Sequence, residues 1–284
     1  MGFFERAAAL VPARVLMRMR RLSWRHPRLK RMVGILAQSL RGRDGTIQRG
    51  IGQGLRFNIG ASEASFLLGV SKPHLQHALQ QALRPNQIFY DIGANVGFFS
   101  LIGARLVGDE GRVIAFEPLP ANAEMIERNA AANAFMNIAV MRFALGRQDG
   151  EARFMLSERP TWGKLAEIGT KPDRYCGEIV VPIRKLDSVV ESARLAPPDV
   201  IKIDVEGAEI DVLSGARMTI AASRPVFLIE LHGTNVAVER ILSDYGYVTT
   251  VLGTTDTVAD AHWNCHVLAL PNEKKSALLE AAQA

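Results

Sequence analysis

Two stretches of this 284-residue chain carry residue types and spacings suited to chemistry. The first is Phe89–Phe99, reading FYDIGANVGFF, a short apolar run that leads straight into a glycine-bearing turn. Gly93 lets the backbone turn tightly after a strand. The small residue Ala94 lets a ligand approach the main chain, and Gly97 lets the following helix pack close to the strand. A dinucleotide site needs glycines in the pattern G-x-G-x-x-G, but Asn95 and Phe98 stand at its second and third glycine positions. The spacing here is D-x-G-x-x-x-G, with Asp91 acidic near the strand end. It suits a ligand with a cationic amino-acid head, such as S-adenosylmethionine, whose ammonium and sulfonium a carboxylate attracts.

Glu117 follows Gly93 by 24 residues, in Phe116-Glu117-Pro118 at the end of the next apolar run. At that spacing a carboxylate accepts both ribose hydroxyls of a nucleoside. The alternative is an exposed strand-end acid that caps the next helix. Leu119 is then expected to flank the adenine, and the main chain around Ala144, in Phe143–Gly146, to read its edge.

The second stretch is Ile201–Glu209, reading IKIDVEGAE. Asp204 ends a strand at the same sheet edge as Gly93, beside the expected methyl group. Glu206 and Glu209 open the next helix, where acids commonly offset the helix dipole. Glu209 is assigned to that role, while Asp204 and Glu206 are expected to act in catalysis. Further on, Glu230 and His232 lie two residues apart and share one face of a strand. His232 at the cleft mouth is the expected general base, with Asp204 and Glu206 as alternates and a surface loop histidine as the bland reading. Asp204 and Glu230 have the chemistry to converge on a divalent cation. No metal is assigned.

These residues need a scaffold, and the hydropathy pattern supplies one. Apolar runs of strand length recur at Ile88–Ile92, Arg112–Phe116, Ile138–Phe143, Val200–Ile203, Val226–Leu231 and Tyr247–Val251. Helical stretches at Val96–Val107, Pro120–Asn133, Ala208–Ala222 and Val236–Tyr245 separate most of them. That alternation means a mostly parallel sheet with helices on both faces. His262–Leu270 is expected as a last, antiparallel strand followed by a closing helix. Upstream, residues 47–59 suggest a hairpin, and Ser71 an N-cap for a helix that starts at Pro73 and runs to about Leu83. Residues 151–185, broken by Pro160, Gly163, Gly169, Pro172 and Gly177, suggest an insertion or lid.

The net charge of +5 is unevenly spread. Residues 1–60 hold 13 Lys+Arg against 2 Asp+Glu, leaving 21 against 27 for the rest. A nucleic-acid enzyme more often carries its positive face across the catalytic domain. The division expected is a basic helical extension over 1–45 and a catalytic domain over 46–284. The extension suits peripheral contact with an anionic membrane, or packing as a solvated helix. The apolar runs are too short for a membrane-spanning helix, and two cysteines exclude a disulfide scaffold or cysteine-rich zinc module. No secretory leader pattern opens the chain, so a cytoplasmic location is expected.

Taken together, Phe89–Phe99, Phe116–Pro118, Ala144–Gly146, Ile201–Glu209 and Glu230–His232 resemble the FkbM family of methyltransferases, in family order over about half the chain. The resemblance implies a class I Rossmann-like α/β fold, and O-methylation of sugars, glycans or glycolipids, or secondary metabolites. It also implies that Gly93, Asn95, Glu117 and Asp204 line the cofactor cleft. Residues 157–177 match no family pattern, so the acceptor pocket does not transfer. The rival readings are a cofactor-fold module without activity, a nucleic-acid methyltransferase and, on glycine pattern least favoured, an NAD enzyme. The oligomeric state is not legible in the sequence.

Overall fold

The computed structural model describes residues 42–157, 163–165 and 175–274. The basic helices expected within 1–40, and the closing helix expected after the last strand, lie outside these residues. Among the described residues, no helix is long and apolar enough to cross a membrane.

The described chain begins with a short antiparallel pair, β1 (Asp44–Thr46) and β2 (Arg56–Asn58), the first strand lying just before the 47–59 range expected for a hairpin. Two helices follow: α1 (Ala64–Leu68), which the hydropathy pattern does not suggest, and α2 (Pro73–Ala82). Ser71 does not cap α2. The N-cap position belongs to Lys72, which makes no side-chain capping bond and has φ 47°.

Alternating units then run β3 (Ile88–Ile92), α3 (Phe98–Val107), β4 (Arg112–Phe116), α4 (Pro120–Ala132) and β5 (Ile138–Met141). Next come β6 (Ala144–Leu145) and then the expected insertion, whose described residues are mostly strand: β7 (Gly150–Ser157), β8 (Gly163–Leu165) and β9 (Tyr175–Arg184). These four form a separate sheet in the order β6-β9-β7-β8. The third run was expected to reach Phe143, but Ala144 and Leu145 leave the main sheet to pair with Ile183 and Arg184. After α5 (Leu186–Ser192), the main fold resumes with β10 (Val200–Ile203), α6 (Glu209–Ser214), α7 (Arg217–Ser223) and β11 (Val226–Glu230). It closes with α8 (Asn235–Asp244), β12 (Tyr247–Val251) and β13 (His266–Pro271). The single helix expected over Ala208–Ala222 is two helices that break at Gly215, the C-cap of α6, where the carbonyl oxygen of Gly146 lies only 2.0 Å from where a Cβ would stand.

Seven strands make the main sheet, in the order β12-β13-β11-β10-β3-β4-β5. All neighbours from β11 to β5 are parallel, while β13 inserts antiparallel between β11 and β12. Burial on both faces explains the unbroken apolar runs of the inner strands. Tyr90, Ile92, Ile201 and Ile229 pack toward Leu186, Val212, Ile220 and Leu242 on one side. Phe89, Val113, Val200 and Leu228 pack toward Leu79, Phe98 and Leu101 on the other. Strand order reverses direction between β3 and β10. Open α/β sheets bind ligands in the crevice at that switch point, outside the carboxyl ends of the strands.

Candidate active site

A cleft of about 500 Å³ opens at this switch point, within the roughly 300–1,000 Å³ usual for small-ligand sites. Its floor is the turn after β3. Gly93 has φ 72°, and a Cβ there would stand 1.9 Å from the carbonyl oxygen of Asp204. Only glycine lets the ends of β3 and β10 approach this closely. Ala94 and Asn95 line the cleft beside it. Gly97 does not. It lies at the N-cap of α3 with φ 86°, where a Cβ would crowd Ile126 of α4 at 3.2 Å, so it serves helix–helix rather than helix–strand packing.

Asp91 also stands elsewhere than expected. It is fully buried, accepts hydrogen bonds from Ser100 Oγ at 2.6 Å and Lys202 Nζ at 2.8 Å, and does not line the cleft. Its charge is therefore spent on a buried ion pair rather than on a ligand. The register explains this, since Asp91 and Lys202 are direct partners on adjacent strands. Lys202 in turn donates to the Gly93 carbonyl at 3.1 Å and so braces the turn from behind.

Glu117 sits at the end of β4, buried but facing the cleft. Its oxygens accept the backbone N–H of Asn95 at 2.8 Å and of Leu119 at 2.9 Å. Oε1 also accepts the Asn122 side-chain N–H in a long contact of 3.4 Å, so a lone pair on Oε2 and a weakly engaged one on Oε1 remain for hydroxyl donors. Burial raises its pKa to about 7, against the lowering effect of those N–H bonds. An exposed cap would show neither feature. Leu119, Phe143 and Ala144 form the apolar wall next to it.

At the other end of the cleft lies a dense charge cluster. Lys72 donates to Asp204 Oδ2 at 2.7 Å and to Glu230 Oε2. Burial alone would push the Lys72 ammonium down, but Asp204 and Glu230 raise it above its usual value. Burial would likewise push Glu230 up, yet His266 and Lys72 hold its carboxyl well below the usual range. Glu206 lines the cleft with its side chain 42% exposed, and burial raises its pKa. Lys72, Asn95 and Glu206 all have positive φ, at 47°, 55° and 52°. Left-handed backbone at non-glycine residues costs energy and tends to gather at functional sites.

His232 requires a correction. It does not line the cleft itself but stands next to residues that do, with Nδ1 2.8 Å from Glu209 Oε1 and Nε2 3.5 Å from Glu206 Oε2. Burial alone would lower its pKa, but the Glu209 hydrogen bond and the charges of Glu206 and Asp204 outweigh it and raise the value to about 9. That shift favours the imidazolium, the form with no lone pair with which to take a proton. Glu209 is no mere helix-end acid. It is fully buried and receives Gly207 N–H at 2.9 Å and Thr234 Oγ1 at 2.8 Å besides facing His232.

The sequence reading also passes over Lys72, Lys202, Trp263 and Asn264. Lys72 leaves one signal, because a cation at a helix N-terminus opposes the helix dipole. Trp263 and Asn264 line the acceptor end of the cleft, the indole 59% exposed.

Residues 91–249 match the family model described as the methyltransferase FkbM domain, more than half of the chain. The chain belongs to the FkbM methyltransferase family. Its fold is that of the class I S-adenosylmethionine-dependent methyltransferases, and S-adenosylmethionine is the cofactor of this family. The chain is 29% identical over 155 residues to the hexuronic acid methyltransferase AglP of Haloferax volcanii, covering 54% of this chain and 59% of AglP. It is 24% identical over 198 residues to the 2-O-methyltransferase NoeI of Sinorhizobium fredii, covering 64% and 80%. With the 31-O-demethyl-FK506 methyltransferase FkbM of Streptomyces tacrolimicus it shares 28% over 188 residues, covering 56% and 70%. The chain thus spans under two thirds of AglP.

The cleft fits the cofactor. Its turn admits main-chain contact, Glu117 has acceptor capacity for a ribose diol, and the acidic far end suits a sulfonium and an ammonium. The pKa of Glu117 has a consequence. A group raised from 4.5 to about 7 is mostly protonated at pH 6 and mostly ionised at pH 8. Two hydroxyl donors need the ionised form, so affinity for S-adenosylhomocysteine is expected to rise roughly tenfold between pH 6 and 8. Calorimetric titration across that range checks it, and affinity that is flat or falls with pH would count against the ribose role.

Proposed function

We propose that the chain transfers a methyl group from S-adenosylmethionine to a hydroxyl oxygen of a sugar, a glycan or glycolipid, or a secondary metabolite. The observation that carries this reading is the polarity of the cleft: a buried carboxylate, Glu117, at one end and the Asp204–Glu206–Glu230 cluster at the other, on opposite sides of the Gly93 turn. The names of AglP, NoeI and FkbM support an oxygen acceptor on a sugar or a polyoxygenated metabolite.

When bound, the cofactor supplies an activated methyl whose sulfur leaves as a thioether, so the protein's own task is mainly positioning. Gly93, Ala94 and Asn95 hold the main chain open to a ligand, and Glu117 receives hydroxyls. Asp204 and Glu230, tied to Lys72, set the charge around the transfer point. Glu206 takes the acceptor's proton. It lines the cleft, and burial raises its basicity toward neutral pH. The His232 imidazolium beside it then holds Glu206 in place and supports the charge before transfer. A hydroxyl has a high pKa, so the proton departs late, as the new oxygen–carbon bond forms.

Trp263 and Asn264 at the rim offer a flat apolar face and an amide, a pairing suited to a sugar ring. An acidic body also fits a small acceptor better than a nucleic acid. Peripheral membrane contact through the basic stretch of residues 1–45 would suit a lipid-linked acceptor.

The test is transfer of labelled methyl from S-adenosylmethionine to a panel of uronic acids, neutral sugars, glycolipid extracts and RNA. The proposal expects label in alkali-stable ethers of a hydroxylated acceptor. Label in RNA alone, or in none of the panel despite cofactor binding, would overturn it.

A further inference from the structure

The family match begins at Asp91, so Lys72 lies outside it, yet Lys72 reaches the centre of the site. Asp204, Glu230 and His232 each present one ligand atom, and these atoms lie within 4.8 Å of one another. Two carboxylates at such spacing, joined by the imidazole once it gives up its proton, are a donor set for a divalent cation. Here the Lys72 ammonium already bonds to both carboxylates. Three features mark its place as built rather than incidental. The backbone of Lys72 adopts φ 47°, its position at the start of α2 opposes the helix dipole, and its side chain is only 24% exposed.

We propose that Lys72 is a positioning residue that acts as the built-in cation of the acceptor end of the cleft. It holds Asp204 and Glu230 where a divalent metal ion would otherwise hold them, so the wild-type site works without one. An ammonium has three hydrogens, and two are engaged by the carboxylates. The third is left for the cleft, and a hydroxyl oxygen is the chemistry it would receive there. That last point rests on the methyl-transfer reading. The occupation of the cation place by Lys72 does not.

Mn2+ is the probe, followed by electron paramagnetic resonance and by melting temperature, with S-adenosylhomocysteine titrated in parallel. Wild type is expected to show no saturable Mn2+ binding at this cluster. Lys72→Ala is expected to bind Mn2+ at least about tenfold more tightly and to melt at a higher temperature with it, as a vacated carboxylate pair should. Adding Glu230→Gln should abolish that gain, and Lys72→Arg should keep the wild-type indifference. A merely structural lysine would destabilise on removal without creating a metal site.

Folded Lys72→Ala that binds Mn2+ no better than wild type overturns the proposal. So does wild type that binds Mn2+ and loses it on Glu230→Gln, an arm that holds even if Lys72→Ala does not fold. If the Mn2+ pattern holds while no protein binds S-adenosylhomocysteine, the cofactor reading falls and the role of Lys72 stands.

Discussion

Glu206→Gln is expected to lower kcat about a hundredfold or more, with the Kd for S-adenosylhomocysteine changing about twofold or less. The substitution keeps size and shape and removes only the capacity to take a proton. Of the three acids clustered at this end of the cleft, Glu206 has no lysine bonded to it, whereas Asp204 and Glu230 share Lys72. Its pKa is raised by burial, partly opposed by His232, which places a usable base nearer to neutral pH. The pH profile separates the rival assignment. If His232 were the base, its imidazolium would first have to lose a proton, and activity would climb toward pH 9. With Glu206 as base, activity is already at its plateau well below that. An unchanged kcat in Glu206→Gln would remove Glu206 from the mechanism.

Glu117→Ala is expected to weaken S-adenosylhomocysteine binding by about ten- to a hundredfold, because hydrogen bonds to a charged group are worth roughly 1.5–3 kcal/mol. The same change strips the Asn95 and Leu119 N–H groups of their acceptor. Leaving a buried donor unpaired costs about 1–3 kcal/mol, so the variant should also melt earlier. Glu117→Gln separates the two effects. Its amide oxygen still accepts one of the two backbone donors, so it should lose less stability than Glu117→Ala, while the charge that draws the ribose hydroxyls is gone in both. Tight binding by both variants would mean that Glu117 serves the turn alone.

The sheet and the cofactor end were legible because local signals and tertiary demands agree there. An apolar strand, a glycine that must have φ 72°, and an acid 24 residues on are each forced by the same geometry. The acceptor end was not, because its residues meet only through topology. Lys72 and Glu230 are 158 residues apart in sequence and bonded in space. Asp91 looked like a ligand group because its partner Lys202, on the neighbouring strand, reads on its own as one more residue of an apolar run. Glu209 and His232 were misjudged as a pair. An acid at a helix start is common, and only the fold shows that this one bonds an imidazole. The insertion was legible only as an interruption, because its prolines and glycines hide the strand pattern of its described residues, which join a separate four-stranded sheet.

The central claim is that the cleft between β3 and β10 is an S-adenosylmethionine site, and calorimetric titration of the wild-type protein with S-adenosylhomocysteine at pH 8 tests it most directly. The account predicts one site per chain with micromolar affinity, weakened in Glu117→Ala. A protein that is folded by circular dichroism and gives no binding heat or competition with labelled S-adenosylmethionine would contradict it.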